Sequence, residues 1–426
     1  MTINGSRRDK LTVSLTNCSQ ITFENIIIQS GSVGVFSTNS SKITFDKCTI
    51  EKNRTAGLQD TGFILDESTV QLNGTWGMEL IGDPTDPSRV QAIIQKSTIT
   101  GNRQGGVSVQ AATLEINSAT IEKNLGYGLD VSNKAVVTFN DTTKPTMISI
   151  NKDGGIYVHG ATLTVQGTVS NNRAHGILAE SATLHLDNAT ISGNPEAGVI
   201  YKESTGTITN SKVADNKNDG VLIETGSTVT FAASTISGQG ARGIYVTDGA
   251  SVSLTKETSV TGNGTDGLVI DAATGTVTGS TVTANTENGI HVVNGGKLTV
   301  DGGSTISANE INGIVVDAAE ATITSSQVVS NKRHGISVVN NGKSTVENSS
   351  VESNTAQGVS VADSTATIDS SQVQKNGVNG VYATDKAQVN IVNGSLISQN
   401  TIDGLLLEGA TETIDASTLS NRLYSC

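Results

Sequence analysis

The chain has 426 residues, and its composition excludes several classes of protein. With 6 Phe, 6 Tyr and 1 Trp it has too few aromatic rings to anchor several compact cores. Hydrophobic residues make up 35% of the chain and charged residues 16%, a balance that argues against disorder. Collagen is excluded because 46 Gly are accompanied by only 4 Pro and no three-residue period. No apolar run reaches the length of a membrane-spanning helix.

The formal net charge of −13 argues against a nucleic-acid partner, because binding to phosphates requires clustered Lys and Arg. It favours a neutral or cationic partner instead. Of the 3 cysteines, Cys18 and Cys48 fall in strand-like segments and Cys426 is terminal, so no disulfide framework is predicted. The first residues contain no apolar stretch of the kind found in signal peptides.

A repeat of Asn-x-x-x-Gly followed by alternating apolar residues runs along the chain. Seventeen units recur with a mean period of about 23 residues, and in two of them Ser30 and Gln239 replace the Asn. The Asn positions of the other units, in chain order, are Asn53, Asn73, Asn102, Asn124, Asn151, Asn172, Asn194, Asn216, Asn263, Asn285, Asn309, Asn331, Asn354, Asn376 and Asn400.

Each unit is predicted to contain three short strands. The strand after the Gly has apolar residues one and three positions later, and a second strand follows with a pair such as Leu163 and Val165. The third strand places a small and then a β-branched residue before the Asn, as in Ser97 and Ile99. Such units can bury their apolar sides only by stacking, which predicts an all-β parallel solenoid of about 17 coils with three strands per coil.

The repeated Asn and Gly are interpreted as architecture. An Asn carboxamide at a bend has two donors and a carbonyl, so equivalent side chains can bond to the backbone and to one another along the stack. The Gly, often preceded by Asn or Asp, is expected to provide a tight turn into the next strand. His175 and His334 hold the same position before the Gly and are expected to be exposed turn residues.

The Asn-x-x-x-Gly-[Ile/Val/Leu] pattern, present over nearly the whole chain, resembles the right-handed parallel β-helix repeats of the pectin-lyase-like superfamily. That superfamily includes pectate lyases, polygalacturonases, mannuronan epimerases, phage tailspikes and many surface proteins. The resemblance implies a single right-handed parallel β-helix over residues 1–426, and it implies no particular activity. We expect the chain to be a segment of a longer extracellular or cell-surface protein, or to have its solenoid ends covered by a neighbouring domain or an oligomeric partner.

Two intervals between successive Asn positions are long, and both carry insertions that are expected to be loops. One insertion covers residues 82–89 and the other covers residues 140–145, and together they contain three of the 4 prolines. Such insertions are either tolerated surface loops or the borders of a working face.

The second residue after each Gly should point to solvent, yet it is apolar over several successive coils. The apolar row from Tyr157 to Val269 is interpreted as a binding surface, as β-propensity on an exposed sheet, or as a surface that a missing segment covers. We predict that its tyrosines stack on sugar rings. The predicted ligand-binding residues are Tyr157, Leu178, Glu180, Ile200, Tyr245 and Tyr382.

The fourth residue after the Gly is polar in the same strands. The two rows together bring Asp130, Tyr157, His159 and Lys202 onto neighbouring coils, and these four are the candidate catalytic residues. Tyr and His can act as general acid and base on a uronic acid, while Lys neutralises its carboxylate.

Residues 127–132 read Tyr-Gly-Leu-Asp-Val-Ser, which is similar to the Tyr-Gly-x-Asp-Pro-His motif of mannuronan epimerases. Val131 and Ser132 replace the Pro and the His of that motif, and His159 on the next coil is placed to compensate in part. The resemblance implies, as an alternative to binding alone, a polysaccharide lyase or C5-epimerase that acts on uronic-acid polymers.

No metal site and no cofactor are predicted, because no histidine has a companion at ligand spacing. The acidic loop with Asp83 and Asp86 provides only a weak case for calcium. Outward Thr-x-Thr pairs on the third strands, such as Thr281 and Thr283, resemble the ice-binding faces of some solenoids. Glu and Gln interrupt that row, so the β-propensity of Thr is the favoured explanation.

The function that the sequence favours is that of an extracellular or cell-surface β-helix protein, non-catalytic, that binds polysaccharide or another surface ligand along one outward sheet face. A lyase or epimerase is the first alternative, so enzymatic activity is left open. A structural stalk or an ice-binding adhesin segment is the second alternative.

Overall fold

The computed structural model describes residues 1–5, 10–60, 62–141, 144–420 and 422–425. The chain is an all-β, right-handed parallel β-helix of about 18 turns, close to the 17 coils counted in the sequence. The residues divide into two compact units, Met1–Lys217 (unit 1) and Asn218–Cys426 (unit 2). In each unit, short strands pair in parallel with the equivalent strand one coil further along.

Each unit has three sheets, numbered here in the order in which the chain visits them after the repeat Gly. In unit 1 the first-sheet strands are Val13–Thr16, Val35–Thr38, Leu58–Asp60, Trp76–Ile81, Gly105–Gln110, Tyr127–Ser132, Gly154–His159, Ile177–Glu180 and Val199–Lys202. The second-sheet strands are Ser19–Glu24, Ser41–Asp46, Phe63–Asp66, Gln91–Gln95, Thr113–Asn117, Val136–Phe139, Thr162–Ser170, Thr183–Ser192 and Thr205–Thr209. The third-sheet strands are Thr2–Asn4, Ile27–Gln29, Thr49–Glu51, Thr69–Gln71, Thr98–Thr100, Thr120–Glu122, Met147–Ser149 and Lys212–Ala214.

Two long strands of unit 1, Thr162–Ser170 and Thr183–Ser192, run from the second sheet into the third without a break. A short 3-10 helix covers Pro87–Arg89 within the first insertion.

Unit 2 repeats the same arrangement. Its first-sheet strands are Val221–Glu224, Ile244–Val246, Leu268–Asp271, Ile290–Val293, Ile314–Asp317, Ile336–Val339, Val359–Ala362, Val381–Thr384, Leu405–Glu408 and Arg422–Ser425. The second-sheet strands are Thr228–Ala232, Ser251–Thr255, Thr274–Thr278, Lys297–Asp301, Glu320–Thr324, Lys343–Glu347, Thr365–Asp369, Gln388–Val392 and Thr411–Ile414. The third-sheet strands are Thr235–Ser237, Ser259–Thr261, Thr281–Thr283, Thr305–Ser307, Gln327–Val329, Ser350–Glu352, Gln372–Gln374, Leu396–Ser398 and Thr418–Leu419.

Side chains alternate between the core and the surface as the period-two pattern predicts. In the strand Ile177–Glu180 the first and third side chains are buried, whereas Leu178 and Glu180 are half-buried. The second sheet follows the same rule, with Leu163 and Val165 buried. Most third-sheet strands bury their central residue, such as Ile99 or Val282. The predicted orientation of the three strands is therefore confirmed.

The repeat asparagines form a buried ladder inside each unit. In unit 1 the backbone N–H and Nδ2 of Asn124 both donate to Oδ1 of Asn151, at 3.1 and 3.0 Å, and Nδ2 also reaches the carbonyl of Ile99. In unit 2 Asn285 donates to Asn309 in the same way, at 3.1 and 3.0 Å. Each carboxamide thus satisfies backbone and side-chain groups of its neighbours, which confirms the architectural interpretation.

The repeat Gly is required for close packing and not for the predicted tight turn. A Cβ atom on Gly176 would lie 2.5 Å from the carbonyl oxygen of Gly198 and 2.8 Å from Nδ2 of Asn194. Gly176 is not among the described residues with positive φ. The turn is made instead by the residue before the Asn, as at Lys123 (φ 54) and Ile150 (φ 58). The Gly is required because the ladder and the next backbone approach too closely for a side chain.

Unit 2 contains a second ladder in the position before the Gly. The N–H and Nδ2 of Asn288 donate to Oδ1 of Asp266, at 3.0 and 2.8 Å, and Asn312 donates in turn to Asn288. The backbone N–H of His334 donates to Oδ1 of Asn312 at 3.2 Å. These bonds point towards the preceding coil, whereas those of the repeat asparagines point towards the following coil.

Candidate functional site

The candidate catalytic residues share one outward face of the first sheet in unit 1. Two columns of side chains run along this face, one coil per step. The first column is Asp130, Tyr157, Leu178 and Ile200, and the second is Ser132, His159, Glu180 and Lys202. The structure therefore brings together all four candidate catalytic residues and four of the six predicted ligand-binding residues.

Glu180 links two members of this face. Its Oε2 accepts a hydrogen bond of 2.7 Å from the Tyr157 hydroxyl, and its Oε1 lies 3.5 Å from Nζ of Lys202. The pKa of the Tyr157 phenol is raised, first by burial and then by this bond to a carboxylate. The Tyr157 phenol therefore stays a protonated hydrogen-bond donor to higher pH than an ordinary tyrosine.

Asp130 stands beside Tyr157 in the neighbouring coil and is half-buried. Burial raises the pKa of its carboxyl group, and the nearby charge of His159 opposes that rise. Raised carboxyl pKa values are found at catalytic and binding sites as well as in structural networks.

Tyr127 and His175 belong to the same cluster, although neither is among the site residues predicted from the sequence. The rings of Tyr127 and Tyr157 stack with centroids 5.4 Å apart, and Tyr157 stacks on His159 at 6.2 Å. The Tyr127 hydroxyl lies 3.3 Å from Nε2 of His175, and Nδ1 of His175 lies 3.3 Å from Oε2 of Glu196. A phenol, an imidazole and a carboxylate are thereby connected in one line.

Gly154 makes this connection possible. A Cβ atom at that position would lie 2.7 Å from Cε1 of Tyr127 and 3.1 Å from Nε2 of His175. The Tyr127 side chain therefore passes over Gly154, on the next coil, and contacts His175 on the coil after that. The signal in the sequence was the pair Gly154-Gly155, in which the first Gly replaces the larger residue that most other coils place before the repeat Gly, Gly105-Gly106 being a second such pair.

The expectation that His175 and His334 are exposed turn residues was wrong. His175 is buried, because it packs against Tyr127 with ring centroids 5.8 Å apart. His334 is half-buried in the second ladder of unit 2, and burial lowers the pKa of its imidazole to about 4.

Two of the predicted ligand-binding residues, Tyr245 and Tyr382, lie in unit 2. The hydroxyl of Tyr245 donates to Asp271 at 2.9 Å, and the guanidinium carbon of Arg242 lies 3.7 Å from the centre of its ring. One face of the Tyr245 ring is therefore covered by a cation–π contact. The hydroxyl of Tyr382 donates to Glu408 at 2.6 Å.

The first insertion borders the candidate face, and the second does not. A cleft of about 490 Å³ opens beside residues 82–84, and its lining includes Ile81, Pro84, Lys134 and His159. In the second insertion, where residues 142–143 lie outside the described residues, Asp141 accepts hydrogen bonds from the backbone of Ser118 and from Thr146. This insertion lies between a second-sheet and a third-sheet strand.

The arrangement offers little to a metal ion. The described part of the chain contains no group of three or more His, Cys, Asp or Glu side chains placed to share a metal. In the first insertion Asp83 accepts hydrogen bonds from Thr85, and Asp86 accepts one from the Ser88 hydroxyl and one from Arg89. The pKa of both Asp carboxyls is lowered, first by these hydroxyl donors. A calcium ion would have to displace these donors.

The fold and the site together define a parallel β-helix with a polar and aromatic patch on its first sheet. The family model described as right handed beta helix region matches residues 2–143, 106–263 and 266–422. The chain belongs to this family. No curated protein shows significant sequence similarity to it. The described residues include no helix with the length and apolarity that crossing a bilayer requires.

Several solved structures have a similar fold. The periplasmic alginate epimerase AlgG is 13% identical, with 78% of this chain and 77% of that chain covered and a TM-score of 0.41. A complex of Vag8 with C1 inhibitor gives 14% identity, 98% coverage of both chains and a TM-score of 0.49. The A-module of the Azotobacter vinelandii mannuronan C-5 epimerase AlgE4 gives 13% identity, coverage of 79% and 90%, and a TM-score of 0.29. At such identities the likeness concerns the fold alone.

Proposed function

We propose that this protein acts outside the cytoplasm and binds polysaccharide on the outward first-sheet face of unit 1, between Asp130 and Lys202. The observation that carries the proposal is the continuous polar chain Tyr157–Glu180–Lys202, which lies beside stacked rings and a cleft that ends at His159. Sugar sites combine convergent polar groups with apolar surface, and this face supplies both.

The ligand contacts are expected to be polar rather than stacked. The Tyr157 ring lies between Tyr127 and His159, so its faces are already occupied by protein. What remains available to a sugar is the carboxylate of Glu180, the ammonium of Lys202 and the half-buried apolar surface of Leu178 and Ile200. The prediction of sugar stacking at this position is therefore replaced by recognition of hydroxyl groups.

Tyr245 and Tyr382 extend the proposal to unit 2, where each makes the same bond to a carboxylate. Arg242 covers one face of the Tyr245 ring, so at most one face of that ring is open to a ligand. The contribution of the two tyrosines to binding stays a prediction. It is tested by comparing unit 2 variants with the equivalent variants of unit 1.

The test is a glycan-array screen followed by calorimetric titration with the strongest ligand. Glu180→Gln is expected to weaken binding at least tenfold, because the carboxylate is the acceptor for both Tyr157 and the ligand hydroxyls. Glu320→Gln is the control, since Glu320 is an exposed carboxylate on the second sheet of unit 2, where it forms an ion pair with Lys343. Equal affinity in wild type and Glu180→Gln would contradict the location, and no array signal at all would contradict polysaccharide binding.

A second candidate function is a lyase or C5-epimerase acting on uronic-acid polymers. It is favoured by the chain Tyr127–His175–Glu196, in which His175 can accept a proton from the Tyr127 phenol beside the candidate face. Asp130, His159 and Lys202 would complete this site, with Lys202 neutralising the sugar carboxylate. Incubation with alginate and pectin, with detection of unsaturated products and of C5 inversion, tests it. Activity in the wild type that is lost in Tyr157→Phe or His159→Ala would replace simple binding by catalysis.

The remaining alternative is a structural stalk or an ice-binding adhesin segment. In unit 2 the outward residues of four successive third-sheet strands are all Ser or Thr, as in Thr281 and Thr283, which face Thr305 and Ser307 in register. Gln327 and Val329 end this row at the next coil. Absence of both turnover and glycan binding would favour the structural role.

A further inference from the structure

Unit 1 carries a line of basic side chains along one corner, outside the first-sheet face. The residue that follows the repeat Asn is a cation in five of its coils: Arg54, Arg103, Lys152, Arg173 and Lys217. All five are exposed. The backbone fixes them in one column, since the N–H groups of Lys152, Arg173 and Lys217 each donate to the carbonyl of the ladder Asn one coil earlier. We call these five residues the basic stripe.

Most of the stripe is not neutralised within the protein. Among the described residues, no ion pair within 4.0 Å joins Arg103, Lys152, Arg173 or Lys217 to a carboxylate. The adjacent lysines Lys52 and Lys123 differ, because they pair at 2.6 Å with Glu51 and Glu122. The carboxylates on the same turns are Asp153, Glu196, Asp215 and Asp219, of which Glu196 contacts His175 and Asp219 pairs with Arg242.

The equivalent column of unit 2 is different. Its members are Gly264, Thr286, Glu310, Lys332, Thr355, Gly377 and Thr401. The one cation among these, Lys332, forms an ion pair of 2.6 Å with Glu310. A column of cations, of which Arg103, Lys152, Arg173 and Lys217 form no ion pair with a described residue, is therefore specific to unit 1, in a chain whose net charge is −13.

The geometry of the stripe matches a linear polyanion. Parallel strands repeat about every 4.8 Å along a solenoid, so the cations project at multiples of that step along a straight line. Lys152 and Arg173 lie on adjacent coils, while Arg103 and Lys217 each stand two coils away from them. An extended chain with one negative group on each sugar can contact successive cations without bending. Such a line of positive charge also attracts a polyanion over a distance of about 10 Å at 0.1 M salt.

We infer that the basic stripe binds a linear acidic polysaccharide that carries a carboxylate or sulfate on each residue. This inference rests on the proposed function, since it assumes a polysaccharide ligand, and it deepens it by giving the ligand's charge and a second binding surface. A single-stranded nucleic acid fits less well, because the stripe includes no aromatic side chain on which bases could stack.

The experiment compares the full chain with Arg103→Gln/Lys152→Gln/Arg173→Gln, which removes three charges from the stripe. The matched control is Lys256→Gln/Lys297→Gln/Lys386→Gln, which removes three charges from exposed sites in unit 2. Binding to a polygalacturonate decamer is measured by calorimetry at 50 and 200 mM NaCl, with a neutral dextran and a single-stranded DNA of equal length as comparisons.

The stripe variant is expected to bind the decamer at least tenfold more weakly at 50 mM NaCl, and the control less than twofold. The wild type is expected to lose affinity at 200 mM NaCl, because an interaction between charges is screened. Equal losses in both triple variants would overturn the stripe as a site, and tighter binding of DNA than of the decamer would overturn the polysaccharide assignment.

Failure here is distinguishable from failure of the proposed function. If the binding of the strongest array ligand still depends on Glu180 while the decamer does not bind, the first-sheet face is retained and the stripe is rejected. If the decamer depends on the stripe and no ligand depends on Glu180, the polysaccharide ligand is retained and the first-sheet location is rejected.

Discussion

The hydroxyl of Tyr157 donates a hydrogen bond of 2.7 Å to Oε2 of Glu180, which lies one coil further along the first sheet. The same bond joins the pairs Tyr245–Asp271 and Tyr382–Glu408. In all three pairs the Tyr is the second residue after a repeat Gly, and the carboxylate belongs to the fourth residue after the next repeat Gly along the chain. A phenol and a carboxylate in this relation form a recurrent element that ties neighbouring coils together at the surface.

These bonds predict a loss of stability at alkaline pH. The pKa values of Tyr157, Tyr245 and Tyr382 are raised in the folded state. Above about pH 10 the phenols of the unfolded chain lose their protons more readily than those of the folded protein. The contribution of these bonds to the free energy of unfolding is therefore complete below that pH and decreases above it. The free energy of unfolding of the wild type should decrease between pH 8 and pH 11. We expect that decrease to be about 1 kcal/mol smaller in Tyr157→Phe, after allowance for solvent screening.

Urea denaturation followed by circular dichroism at the two pH values measures this decline. Thr281→Ala, an exposed third-sheet variant, serves as the control and should keep the wild-type pH dependence. A Tyr157→Phe curve parallel to that of the wild type would show that the bond to Glu180 does not contribute.

The fold could be predicted because its determinants repeat. Ile177, Leu163 and Ile99 each represent a position that recurs in almost every coil, and the Asn124–Asn151 contact is one step of a ladder visible as a sequence period. Because the same residue type recurs at such a position in many coils, its role can be predicted from the sequence even though no single coil would be sufficient.

The candidate site could be predicted only in part. The columns that hold Asp130, Tyr157 and Glu180 follow from counting residues after each Gly. The partnership of Tyr127 with His175 does not, because it spans two coils and depends on the missing side chain of Gly154. Contacts that occur once, and that skip a repeat, leave no period in the sequence.

Gly154 provides a direct test of that partnership. Gly154→Ala is expected to destabilise the protein by about 2 kcal/mol, because φ at this position is 142° and the new Cβ would meet Tyr127 at 2.7 Å. Displacement of Tyr127 should also bring its pKa, which burial raises, back towards the ordinary value. The difference between the phenolate absorbance titrations of Gly154→Ala and of Gly154→Ala/Tyr127→Phe isolates that shift.

The control for this variant is Gly160→Ala. Gly160 also has positive φ, 57°, but nothing lies within 4 Å of an added Cβ. This variant should lose about 1 kcal/mol through backbone strain alone and leave the titration unchanged. Identical titrations in the two variants would show that Gly154 does not position Tyr127.

His334 predicts an acid sensitivity in unit 2. Burial lowers the pKa of its imidazole from 6.5 to about 4 in the folded state, and its Nδ1 is a buried atom with no hydrogen-bond partner among the described residues. Below pH 6.5 the unfolded chain takes up the proton first, so stability that is present above pH 6.5 is lost progressively as the pH falls to 4. The expected loss is about 2 to 3 kcal/mol.

His334→Asn separates this contribution from all other titrating groups. Asn occupies the same column at Asn288 and Asn312, so the variant can continue the second ladder without an ionisable side chain. We expect its free energy of unfolding to change less between pH 7 and pH 4 than that of the wild type, as measured by urea denaturation. An unchanged difference between the two pH values would exclude His334 as the acid-sensitive group.

The repeat ladder predicts a large and local effect of a single substitution. Oδ1 of Asn309 accepts from both the N–H and Nδ2 of Asn285, and its own Nδ2 donates to Asn331 and to the carbonyl of Val282. Asn309→Ala leaves two buried donors of Asn285 without an acceptor, which should cost about 3 kcal/mol. Asn140→Ala, which removes an exposed hydrogen bond of 3.2 Å to Glu115, should cost well under 1 kcal/mol.

Because each coil of a solenoid contacts only its neighbours, the damage from Asn309→Ala should be confined to nearby coils. Amide hydrogen exchange is the measurement: protection should fall in the strands Thr281–Thr283, Thr305–Ser307 and Gln327–Val329 and stay unchanged in Val381–Thr384. A uniform loss of protection over unit 2 would mean that the ladder acts as one cooperative element. Protection equal to that of the wild type would mean that the carboxamides are dispensable.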